Sequence, residues 1–89
     1  MDEQTFRDQA KRDGYADPVM IEREGGDFIE SHAHDFSARI LVLSGEMTVQ
    51  TPEREFTCRV GEAGRVERGV SHSEQTGPDG VCFLVARKH

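Results

Sequence analysis

The chain has 89 residues, 35% hydrophobic and 31% charged, enough for one small core and too few for two. Its net charge of −6 repels a phosphate backbone and gives an anionic membrane little to attract, so no nucleic-acid or membrane partner is expected. The apolar runs, Ile40 to Leu43 and Val81 to Ala86, are strand-sized and far short of the ~20 residues that cross a bilayer as a helix.

The N-terminus, Met1-Asp2-Glu3-Gln4, has neither the basic start nor the apolar segment of a secretory leader, and a cytoplasmic location is expected. Residues 3 to 13 then read as a short helix. Asp2 and Glu3 stand at its start, Lys11 and Arg12 in its last turn, and Gly14 where a left-handed cap belongs. Only Phe6 and Ala10 repeat at helical spacing, so this helix is expected to lie against something already folded. Residues 1–16 form a helix and lead-in, and residues 17–89 form the domain proper.

From Val19 the period changes to two, with glycine or proline breaks at Gly25-Gly26, Gly45, Pro52, Gly61, Gly64, Gly69 and Gly77-Pro78-Asp79-Gly80. This predicts short strands over 19–24, 27–34, 38–44, 46–51, 54–59, 65–68, 71–76 and 81–87. So many strands without intervening helices predict an all-β sandwich closing into a small antiparallel barrel, which removes most exposed edges.

Two strands do not alternate. Ile40 to Leu43 and Val81 to Ala86 are apolar on both faces and need cover on both sides. One face can fill the barrel, and the other is most simply covered by a second subunit. A chain this short hides only about 60 to 65% of its unfolded surface, which also favours association, so a homodimer is expected. Cys58 and Cys82 are too few and too far apart for a disulfide framework and read as buried reduced thiols.

Three of the four histidines fall in strand-like stretches. A spacing of two puts His32 and His34 on one face, where two imidazoles can reach one ion, and an inward His72 from a neighbouring strand completes a three-nitrogen face. Three imidazoles suit one divalent transition metal, Fe, Zn, Ni, Mn or Cu, without choosing among them. On the strand of His72 the same face carries Glu74 and Thr76, while Phe28 and Glu30 share a face with His32 and His34. Glu74 can therefore serve as a fourth ligand or a catalytic base, with Glu30 a weaker candidate. His89, at the terminus, is expected to be disordered. Arg39 alternates away from Ala38, Ile40 and Val42, which predicts a surface or subunit-interface salt bridge.

Gly26, five residues, His32, one residue, His34, and then Gly45-Glu46 resembles the first motif of the cupin superfamily. Gly61, five residues, Glu67, one residue, Gly69, two residues, His72, three residues, Thr76 resembles its second. The two span residues 26–76. The resemblance implies a jelly-roll barrel, a double-stranded β-helix, with a metal inside. The family's first-motif glutamate is replaced: its position falls on Ala38 or Arg39, and alignment on Gly45 selects Ala38. Glu67 stands where the family favours proline, and Thr76 where it favours asparagine.

The resemblance thus implies a three-histidine site in a pocket lined by Phe28, Ala38, Ile40, Val42 and Phe83. Three-histidine sites in this superfamily resemble those of thiol dioxygenases, where iron binds both oxygen and substrate. This chain is much shorter than those enzymes, so the resemblance carries the site geometry and leaves the reaction open. A metal-dependent, oxygenase-like enzyme acting on a small molecule and a non-catalytic small-molecule sensor or binding module both remain as readings.

Overall fold

The computed structural model describes all 89 residues, Met1 to His89. It contains one helix, α1 (Glu3–Arg12), and six strands: β1 (Val19–Arg23), β2 (Phe28–His32), β3 (Ser37–Gln50), β4 (Glu55–Arg59), β5 (Ala63–Val66) and β6 (His72–Lys88). Eight short strands were expected. Two pairs of them are continuous, because Gly45 lies within β3 and the Gly77-Pro78-Asp79-Gly80 segment within β6.

These glycines mark corners of long strands, where the antiparallel pairing of β3 and β6 shifts register between Val42 and Ser44 and between Gly45 and Met47. A Cβ on Gly45 would fall 1.9 Å from the Gly80 carbonyl oxygen, so only glycine lets the two backbones cross so closely. The register shifts also change which residues face inward. Before the corner β3 buries Ile40 and Val42, and after it Met47 and Val49; in β6 the inward set passes from His72, Glu74 and Thr76 to Val81, Phe83 and Val85.

The corners divide the sheet into two layers. One consists of β1, residues 81–88 of β6, residues 37–44 of β3, and β5; the other of β2, residues 72–76 of β6, residues 46–50 of β3, and β4. Between them lies a core of Ile40, Val42, Met47, Val49, Cys58, Val81, Phe83 and Val85. The two layers form the expected sandwich, but the sheet does not close: β1 and β4 end the strand order and keep a free edge.

The outer face of β3 and β6 is covered from within the chain. Phe6 and Ala10 of α1 pack on Leu41, Leu84 and Ala86, with Tyr15 and Leu43 at the margin. This corrects the expectation that a second subunit covers that face: one short helix, with an apolar stripe of two residues, is enough. Local signals form it as the sequence predicts. The Asp2 carboxylate accepts from the Thr5 N–H at 2.7 Å, and Gly14 closes the helix at a φ of +85°. Arg39 donates to Asp13 at 2.7 Å and lies over the Tyr15 ring, tying the helix end to β3 by an ion pair within the chain. Both cysteines are free; Cys58 is buried, with its thiol pKa raised by burial, whereas Cys82 is only half-buried.

Candidate functional site

Two strand ends and one loop bring the histidines together. His32 ends β2 and pairs directly with His72, the first residue of β6. His34 lies beyond β2, in the loop to β3, and is held there by its carbonyl, which accepts from the Gly69 N–H at 2.9 Å. The strand expected over 27–34 ends at His32 instead, and the loop carries His34 to the same point. One ligand nitrogen from each of the three rings lies within 4.8 Å of the others.

The rings are oriented as well as close. His32 Nδ1 donates to the Glu30 carbonyl at 2.7 Å and His72 Nδ1 to the Val70 carbonyl at 3.0 Å. A carbonyl can only accept, so each Nδ1 carries a proton, and Nε2 is the nitrogen each ring presents for ligation. Burial, reinforced by His32 and His72 beside it, holds the His34 pKa below the ordinary histidine value. Phe36 stacks on His34 at 4.5 Å and fixes its plane.

These residues fit a metal. Three nitrogens no more than 4.8 Å apart lie within roughly 2.8 Å of a common point, so shifts of under ~1 Å reach the ~2.0–2.1 Å of an imidazole–metal bond. Two of the three already have the backbone hydrogen bond on the opposite nitrogen that metal-ligating imidazoles ordinarily make.

Glu74 is buried and reaches the same point. Its Oε2 is 3.5 Å from Nε2 of both His32 and His72, and its Oε1 accepts from Arg23 at 2.5 Å. Arg23 was missed by the sequence reading, where it stands at a strand end as an ordinary surface charge. Its signal was available in the alternation of β1, which turns Ile21 and Arg23 to the same inner face.

Beside the imidazoles lies a cavity of about 80 Å³. Ala38, Ile40 and Phe83 line it, together with Ile21, Phe36 and Met47. Val42 is fully buried in the core and does not reach the cavity. Phe28 points out of the fold, 55% exposed. The cause is a register shift in β2: Ile29 faces Glu74 while His32 faces His72, so three residues of one strand span two of the other. The extra residue turns Phe28 and Glu30 outward while leaving His32 inward. Only the Glu30 carbonyl takes part in the site. His89 stands at the rim, its ring 5.1 Å from that of Phe36, rather than hanging free.

No protein-family model matches the chain, and no curated protein matches it in sequence. Solved structures match its fold. An RmlC-like cupin from Shewanella frigidimarina NCIMB 400 superposes with a TM-score of 0.70 at 24% identity, over 80% of this chain and 63% of that one. The Cnp3 cupin domain of Schizosaccharomyces pombe gives 0.70 at 15% identity, over 82% and 61%. A chain from the crystal structures of the DMSP lyases RdDddP and RnDddQII gives 0.75 at 16% identity, over 82% of this chain and 38% of that one. This chain thus spans less than two thirds of each of the three. Its architecture is the cupin fold, with three convergent imidazoles and one carboxylate between its two layers.

Proposed function

We propose that the protein binds one divalent transition metal on His32, His34 and His72 and acts as a metal-dependent enzyme on a small molecule held in the adjoining cavity. The observation that carries this is the convergence of three imidazoles within 4.8 Å, two of them fixed by backbone carbonyls with Nε2 presented for ligation. When bound, the metal supplies a Lewis acid for a ligand oxygen or a lowered pKa for a coordinated water. The apolar lining of Ile21, Ile40, Met47 and Phe83 positions the ligand and limits water. Glu74, 3.5 Å from two of the imidazoles, accepts or returns a proton through Oε2 while Arg23 holds Oε1. Imidazole serves all of the first-row candidates, Fe, Zn, Ni, Mn and Cu.

That same Arg23–Glu74 pair favours a second reading. A carboxylate oxygen already engaged by a guanidinium is held in place by that contact, which suits a module that binds a metabolite and releases it unchanged. Turnover separates the two. Elemental analysis of protein purified without an affinity tag should return one metal per chain, and His72→Ala should lose it while the strands persist. Metal-free wild-type protein, or unchanged metal in His72→Ala, would overturn the metal site.

A homodimer is proposed on a different ground from the one the sequence offered. The outer edge of β1 is unpaired, and Val19 and Met20 on it are 46% and 56% exposed, a strand edge suited to pairing with its own copy. Light scattering should return about twice 10.0 kDa, and Met20→Lys should halve it. A wild-type mass of one chain at every concentration overturns this.

A further inference from the structure

Three guanidinium groups line the cavity, Arg23, Arg65 and Arg87, against a single carboxylate, Glu74. In a chain of net charge −6 this is an inverted local balance. Arg23 is spent on Glu74. Arg65 is exposed and pairs with Glu67 at the surface, 3.6 Å away. Arg87 remains, half-buried and absent from every ion pair in the chain.

Its position is fixed by packing. Arg87 follows the inward residue Val85 by two on β6 and lies 5.5 Å over the Phe36 ring, which in turn stacks on His34 at 4.5 Å. One aromatic ring therefore separates an unpaired cation from the imidazole cluster. A half-buried guanidinium with no carboxylate partner, stacked at the edge of an apolar cavity, is a ready site for an anion. Most of the rest of the cavity wall is apolar. Its volume of about 80 Å³ corresponds to roughly five to eight water-sized positions, so the occupant is small.

We infer that this cavity takes a small monocarboxylate with an apolar body, its carboxylate on Arg87, its chain against Phe36, Val85 and Phe83, and its far end toward the three imidazoles. The inference rests on reading this cavity as the ligand site. It names the class of molecule that site selects, and it holds whether or not the molecule is then transformed.

The test uses tag-free protein, once treated with chelator and once loaded with zinc, titrated calorimetrically with butyrate and with butyramide, which has nearly the same shape but no charge. Butyrate should bind at least about tenfold more tightly than butyramide in both preparations, the advantage of a charge-assisted hydrogen bond. Arg87→Met should erase that preference, Arg87→Lys should keep part of it, and Arg59→Met, exposed and away from the cavity, should leave it intact, with circular dichroism checking that each variant is folded. Equal binding of the two probes, no butyrate binding at millimolar concentration, or a preference that survives Arg87→Met overturns the inference. A preference that appears only with zinc and ignores Arg87→Met also overturns it, in favour of carboxylate binding to the metal. Loss of stoichiometric zinc with an intact preference in the chelated protein sinks the metal reading alone.

Discussion

Arg23 Nη1 lies 2.5 Å from Glu74 Oε1, inside the fold, while the other oxygen of the same carboxylate faces Nε2 of His32 and His72 at 3.5 Å. The carboxylate is thus shared between a permanent cation and the place where a second cation would bind. Removing Arg23 leaves it with only the second. Arg23→Gln is expected to destabilise the metal-free protein by about 1–3 kcal/mol, the cost of a largely buried charge left unpaired, and to tighten zinc binding. Urea unfolding with and without zinc measures both effects. Equal destabilisation in the two preparations would mean that Glu74 does not sense the ion.

Phe6 is 3% exposed and, with Ala10, covers Leu41 and Leu84 on the outer face of β3 and β6. Truncating it should cost about 3–5 kcal/mol, a large share of what a small domain has. The expected result for Phe6→Ala is a much lower urea midpoint and association at high concentration as Leu41 and Leu84 are uncovered. A change under about 1 kcal/mol would show that α1 is dispensable and that the outer face needs no cover.

The Arg39 side chain donates to Asp13 and holds its carboxyl below the usual carboxylate range. Because the folded-state pKa is the lower one, the unfolded chain takes up the proton first as pH falls. The stabilising contribution is complete above the ordinary value, about pH 4, and is lost as pH falls from there through the folded-state value. Asp13→Asn should remove this portion of the acid dependence of stability and leave the profile near neutrality parallel to wild type. An unchanged slope below pH 4 would show that the pair does not form in solution.

Thr76 Oγ1 is buried without a hydrogen-bond partner, although its backbone N–H reaches the Asp27 carbonyl at 2.8 Å. An unsatisfied hydroxyl costs free energy that a methyl group of similar shape does not. Thr76→Val is therefore expected to raise stability by about 1–2 kcal/mol with metal content unchanged. A loss of stability would point to an ordered water on the hydroxyl.

The histidine spacing and the period-two pattern made much of the site legible in the sequence. His32, His34 and His72 do converge, Glu74 does share the inner face with His72, and Ala38, Ile40 and Phe83 do line the cavity. Each of these follows from residues a few positions apart on one strand, or from motif spacings. Phe28 did not follow, because one extra residue in β2 reverses the facing of everything before it, and a bulge leaves the alternation on either side looking regular. Arg23 and Arg87 carry no motif at all. Their roles arise from what stands across the cavity.

The sequence alone therefore determined the class of structure: α1 from its cap and its two-residue stripe, the strands from their alternation, and the metal-binding potential from three imidazoles at characteristic intervals. Tertiary structure decided what covers and what neutralises. Gly45 against Gly80 turned two expected hairpin breaks into corners of β3 and β6, and α1 took the outer face that seemed to call for a second subunit. It also divided the cavity's charges, binding Arg23 to Glu74 and leaving Arg87 unpaired. The physical reason is one of range. A side chain's preferred backbone and alternation are set by its immediate neighbours, whereas a crossing of strands or the partner of a buried charge depends on residues 35 to 51 positions away, which meet only once the chain has folded.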